Sequence, residues 1–181
     1  MGKIDNVRNY LKCNLSLKRY EHSLGVEQTS LIVAENFGID KELCALAGLS
    51  HDICREMSFF DLTELSGIEN ENPILLHGHA GAVFLRSKFN IQNESVLNAV
   101  KYHTSGSYDL DDVGKVIFAA DYLEPGRTHL GKGEMQRLFL LELNDMVLEI
   151  ASKTKQFLEI KGFTIEANLN NMIRELSKDN I

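Results

Sequence analysis

The 181-residue chain holds six histidines, and four of them, His22, His51, His77 and His103, are spaced 29, 26 and 26 residues apart. Each sits in or beside an apolar segment, and His51 is followed directly by Asp52 in "AGLSHDICRE". A further carboxylate, Asp121, lies inside the apolar run "FAADYL". Burying an imidazole or a carboxylate without a partner is costly, so a recurring set of them in apolar sequence asks for a shared ligand. Neutral imidazole binds iron, manganese, zinc or nickel, and an ionised carboxylate can bridge two cations. An Asp beside a His lets one segment supply a terminal and a bridging ligand together. Two divalent ions about 3.5–4 Å apart can share a hydroxide and clamp both oxygens of a phosphoryl displacement. The set H…HD…H…H…D is the inventory of such a site.

Helices must bring these residues together. "SLKRYEHSLGVEQTSLIVAENFG" repeats apolar residues at helical steps from Leu17 to Ala34 and stops at Gly38. Asp40 is placed to cap a helix whose pattern continues through His51 and Asp52. "SFFDLTELSG" predicts a short helix ending at Gly67, and Pro73 precedes another that carries His77 and His79. "NESVLNAVKYHT" and "DLDDVGKVIFAADYLEPG" predict two more, the second ending near Pro125 because the residue before a proline disfavours the α region. Met135, Phe139, Leu143, Val147 and Ile150 form one long amphipathic stretch, and a last helix runs from about Ile165 to Leu176. No strand-like alternation is sustained. The expectation is an all-α helical bundle, one domain over residues 1–181. Its metal-binding core covers about 16–127, and C-terminal helices at about 134–178 pack on that core.

Composition narrows the function classes. Apolar residues make up 44% and charged residues 25%, a globular balance. No apolar stretch reaches the roughly 20 residues of a membrane span. "MGKIDNVRNYLKCN" has no apolar h-region, so no signal peptide is expected, and Asn6 stands where a myristoylation signal wants Ser or Thr. Three cysteines without CxxC spacing suit a reducing cytoplasm rather than a disulfide framework. A net charge of −7 argues against a DNA- or RNA-binding surface. A phosphate-bearing substrate therefore needs local positive charge, from metal or from placed Arg and Lys.

"RYEHSLGV", "LAGLSHDICR", "LLHGHAGA", "AVKYHTSG" and "AADYLEPGR", running from Arg19 to Arg127, resemble the HD-domain superfamily of metal-dependent phosphohydrolases. Within it they resemble the YqeK family, which cleaves symmetrical dinucleoside tetraphosphates such as diadenosine tetraphosphate to two nucleoside diphosphates at a di-iron centre. The resemblance implies an HD-domain bundle and six metal ligands: His22, His51, Asp52, His77, His103 and Asp121. Asp52 would bridge, with His51 beside it at the reacting centre. Two divalent ions would be bound, iron first, with manganese, cobalt or zinc as alternatives.

His77 is preferred to His79 because the family pattern reads Leu-His-Gly and residues two apart on a helix point to different sides. His79 stays open as a substrate contact. Arg55, where the family usually carries Lys, and Arg127 are candidates to hold phosphates bidentately. Thr104 and the backbone of Gly106, in "HTSGS", would face a phosphate or ribose. "LEPGRTHLGKGE" keeps the Glu-Pro-x-Arg element and then departs, which leaves His129 as a solvated loop residue and Lys132 without a family role.

The implied reaction is attack of a metal-held hydroxide on a β-phosphorus, with a nucleoside diphosphate leaving. Two other readings stay open: the same fold acting on guanosine tetraphosphate, a deoxynucleotide or a nucleoside monophosphate, and a nucleotide- or metal-sensing module without turnover. The amphipathic tail either packs internally or pairs with a second subunit as a homodimer.

Overall fold

The computed structural model describes residues 2–68, 72–127 and 131–178. Among these residues the secondary structure is ten helices, with no strand: α1 (Lys3–Asn14), α2 (Leu17–Phe37), α3 (Lys41–Ser50), α4 (Phe59–Ser66), α5 (Pro73–Phe89), α6 (Glu94–Tyr102), α7 (Asp112–Leu123), α8 (Lys132–Leu138), α9 (Leu143–Lys161) and α10 (Ala167–Leu176). None of the helices is long and apolar enough to cross a membrane.

The predicted boundaries hold where a side chain or a special backbone enforces them. Ser16, Asp40, Ser58, Asn72, Asn93 and Asp111 each accept an orphan amide at a helix start. α2 ends as Gly38 turns left-handed at φ 66°. α7 ends before Pro125, with Glu124 at φ −55° and ψ 127°, outside the helical region.

Two expectations are corrected. α3 does not continue through His51 and Asp52. The Ser50 hydroxyl donates to the Leu46 carbonyl at 2.6 Å, and the His51 ring takes that of Gly48 at 2.7 Å. The Gly48 carbonyl is the acceptor that the Asp52 N–H would have used in a continued helix. The chain continues instead in three-residue turns: Ile53 N to Ser50 O, Arg55 N to Asp52 O and Met57 N to Cys54 O, at 2.9–3.1 Å. The amphipathic stretch from Met135 to Ile150 is likewise two helices, because tight turns closed by Leu140 N on Arg137 O and Leu141 N on Leu138 O separate α8 from α9.

α2 packs along α3 and against α7, and α6 lies against α3, α5 and α7. Val33, Ala47, Leu49, Val100, Val116 and Ile117, all fully buried or nearly so, fill the space between them. α9 covers α7, and α10 covers α9, through Met146, Val147, Ile150, Leu169 and Met172. Where α5 meets the end of α6, a Cβ on Gly78 would stand 2.6 Å from the Lys101 carbonyl oxygen. That approach sets His77 opposite His103.

Candidate metal centre

The six residues expected to ligate metal converge from five segments. His22 comes from the second turn of α2, His51 and Asp52 from the turns that end α3, and His77 from the second turn of α5. His103 follows α6, and Asp121 stands in the last turn of α7. Neighbouring ring centroids are 5.2 Å apart for His22 and His51, 4.9 Å for His51 and His103, and 4.8 Å for His77 and His103.

Asp52 is the hub. Its Oδ2 lies 3.3 Å from His51 Nε2 and 3.8 Å from His22 Nε2, and its Oδ1 lies 3.0 Å from His77 Nε2 and 3.6 Å from His103 Nε2. Asp121 Oδ1 closes the first side, 3.0 Å from His22 Nε2 and 3.8 Å from His51 Nε2. Two overlapping sets of ligand atoms have the spacing of a metal site: His22, His51 and Asp121, and His51, Asp52 and His103.

Helix ends prepare the rings. His51 Nδ1 and His103 Nδ1 each lie 2.7 Å from the carbonyl three residues earlier, Gly48 and Val100. A carbonyl only accepts, so Nδ1 carries the proton and Nε2 turns its lone pair inward. His22 Nδ1 has Glu124 Oε2 at 3.2 Å and is fixed the same way. Across the centre, His22 Nε2 and His51 Nε2 are buried and form no hydrogen bond. Such lone pairs, converging beside two carboxylates, fit a divalent cation better than they fit one another.

The charges agree with that reading. Burial pushes Asp52 toward the neutral acid, but His51, His103 and His77 outweigh it and hold the carboxyl well below its usual range. Burial likewise raises Asp121, and His22, His51, Arg127 and His103 more than reverse it. Burial pushes His77 down to about 4, with His103 and Arg55 adding to that against the Asp52 carboxylate. For His22 and His103 burial is outweighed by the carboxylates, and both are raised.

The other expected residues divide. Thr104 Oγ1 sits 3.0 Å from His103 Nε2, at the edge of the centre. Arg127 pairs with Asp121. Arg55 is half-buried near His77 and makes no side-chain ion pair among the described residues. His79 faces away: it stacks edge-on against Tyr102 and lines a groove of about 380 Å³ with Ser66, Arg86, Asn98 and Lys101. His129 lies outside the described residues.

Two residues to which sequence reasoning gave no role adjoin the centre. Arg19 donates from Nη1 to Asp52 Oδ2 at 2.6 Å, and Glu124 backs His22. Arg19 lies one turn before His22 in "RYEH", a spacing that could have signalled it, and Glu124 opens the Glu-Pro-x-Arg element, which carried no role for it.

Residues 19–126 match the model of the HD domain. The chain belongs to the HD domain family. That membership brings divalent-metal binding with it, and the donor set described above fits. The chain is 33% identical over 174 residues to the symmetrical bis(5'-nucleosyl)-tetraphosphatase of Staphylococcus aureus, covering 90% of this chain and 88% of that one. It is 32% identical over 159 residues to the enzyme of the same name from Bacillus subtilis, covering 84% and 86%. A crystal structure of a predicted HD superfamily hydrolase involved in NAD metabolism, from Clostridium acetobutylicum, superposes with a TM-score of 0.91 at 33% identity, covering 99% of both chains.

Proposed function

We propose that the chain hydrolyses symmetrical dinucleoside tetraphosphates, such as diadenosine tetraphosphate, to two nucleoside diphosphates at the six-residue centre. The observation that carries this reading is the position of Asp52, one oxygen facing His22 and His51 and the other facing His77 and His103. A carboxylate so placed would be shared between two cations, one on each side of it. The relatives named above as symmetrical tetraphosphatases supply the substrate class.

His22, His51, Asp52 and Asp121 would hold one cation, and Asp52, His77 and His103 the other. Iron is the metal we assign, a choice the imidazole–carboxylate set accommodates along with manganese, cobalt and zinc. Divalent cations supply Lewis acidity there, bringing the pKa of coordinated water toward neutrality and offsetting charge on phosphoryl oxygens.

The protein's own groups do the rest. Side-chain exposure is 0% for His51 and 2% for His103, against 13% for His22 and 19% for Asp121, so the centre opens on the Asp121 side. Arg19 and Arg127, 31% and 37% exposed, stand at that opening with their guanidinium groups on Asp52 and Asp121. Each has N–H donors left to take phosphate oxygens, and Arg55 adds a third cation beside His77. Together they offset the net charge of −7 where a tetraphosphate must approach. The Thr104 hydroxyl donates to His103 Nε2 and would turn its proton to a phosphate oxygen once a cation takes that lone pair. The three free thiols, Cys13, Cys44 and Cys54, are consistent with a cytoplasmic setting.

Product analysis tests the reading. Anaerobically purified protein given diadenosine tetraphosphate is expected to yield ADP alone, and Asp52→Ala none. Formation of ATP with AMP would overturn the symmetrical cut. Faster turnover of guanosine tetraphosphate or a deoxynucleotide in parallel reactions would overturn the substrate class.

A further inference from the structure

We propose that Glu124 is a positioning residue of the metal centre, holding the His22 ring by Nδ1 so that Nε2 faces a divalent cation beside Asp52 and Asp121. The inference rests on the metal-centre reading above.

Glu124 Oε2 lies 3.2 Å from His22 Nδ1, while the other nitrogen of the ring, Nε2, lies 3.0 Å from Asp121 Oδ1. The two carboxylates therefore flank the imidazole, and Glu124 is on the side away from the centre. Glu124 Oε1 accepts from the Gly126 N–H at 2.7 Å, so both oxygens are engaged and the carboxylate cannot swing freely. Its side chain is 9% exposed, and its ion-pair partner among the described residues is His22.

The neighbouring backbone leaves room for this carboxylate. A Cβ on Gly25, three residues after His22 on α2, would stand 2.4 Å from Glu124 Oε1 and 2.8 Å from its Cγ. One on Gly126 would stand 2.8 Å from Oε1. Any side chain at Gly25 would push the carboxylate off the ring.

The turn at Gly126 uses only Oε1, and the contact of Oε2 with His22 has a different consequence. A carboxylate behind a ligating histidine fixes the tautomer and raises the basicity of the ligating nitrogen, and losing it typically weakens metal affinity 10- to 100-fold. His51 and His103 receive this service from neutral carbonyls inside the core. His22 is the most exposed of the four rings, where water competes to turn it, and it is the one backed by a charge.

Cobalt(II) titration of the metal-free, full-length protein tests this, read by calorimetry and by the visible spectrum of bound cobalt. Glu124→Gln keeps an acceptor but removes the charge, whereas Gly25→Ala keeps the charge and displaces it. Both are expected to weaken cobalt binding about 10- to 100-fold and to alter the spectrum, with wild-type thermal unfolding for Gly25→Ala. Wild-type affinity and spectrum in both variants would overturn the proposal, as would a lowered unfolding temperature without a change in affinity. Should Glu124→Gln not fold, Gly25→Ala decides alone. Failure of the wild-type protein itself to bind cobalt would instead remove the metal-centre reading, and this proposal with it.

Discussion

Asp52 and Asp121 are carboxylates held ionised by their surroundings, and the same surroundings set how the centre takes up metal. A ligating imidazole must be neutral. His77, at about 4, is already neutral at any physiological pH. His22 and His103 are raised above the ordinary histidine value of about 6.5, so they keep protons that an entering cation must expel. Affinity for manganese or cobalt should therefore rise between pH 6 and pH 8, with proton release at the acid end. Calorimetry in two buffers of different ionisation enthalpy measures it, and pH-independent affinity would count against the assigned shifts. Arg19 makes a second prediction at this scale. A charged hydrogen bond from its guanidinium to a substrate phosphate would be worth about 1.5–3 kcal/mol. Arg19→Ala should thus lower kcat/KM for diadenosine tetraphosphate roughly 10- to 100-fold while metal content stays at the wild-type level. Loss of metal instead would make Arg19 a structural partner of Asp52.

At the scale of elements, the centre is built from helix ends and close approaches. The donor residues were legible because their types are out of place in apolar sequence, and the starts of α2 to α7 carry capping side chains, whereas α1, α8, α9 and α10 have none. The end of α3 was not. The run from Leu43 to Leu49 has no Gly-Pro punctuation after it, and at its end the His51 ring takes the Gly48 carbonyl that the next helical N–H would have used. The break between α8 and α9 was hidden for the same reason, since apolar periodicity carries across residues 139–142. Arg19 and Glu124 were missed because their roles depend on which helices meet: α2 against the 51–57 turns, and α2 against the end of α7. The α5–α6 contact carries the prediction at this scale. Gly78→Ala forces a methyl to within 2.6 Å of the Lys101 carbonyl, which only backbone movement can relieve. The cost expected is about 2 kcal/mol, a fall in Tm of roughly 4–8 °C in thermal unfolding. An unchanged Tm would mean that α5 and α6 slide without resistance.

At the scale of the molecule, the HD-domain match over residues 19–126 and the five segments that supply the candidate ligands cover the same part of the chain. α9 and α10 lie beyond it, and their buried face supports α7, the helix that carries Asp121. An acidic protein thus concentrates three arginines, Arg19, Arg55 and Arg127, around one cluster of four imidazoles and two carboxylates. The most direct test of the account is anomalous diffraction from crystals of the iron-loaded protein, recorded across the iron absorption edge. It should show two iron peaks bridged by the Asp52 carboxylate, one held by His22, His51 and Asp121 and the other by His77 and His103. A single peak, or iron bound away from Asp52, would contradict it.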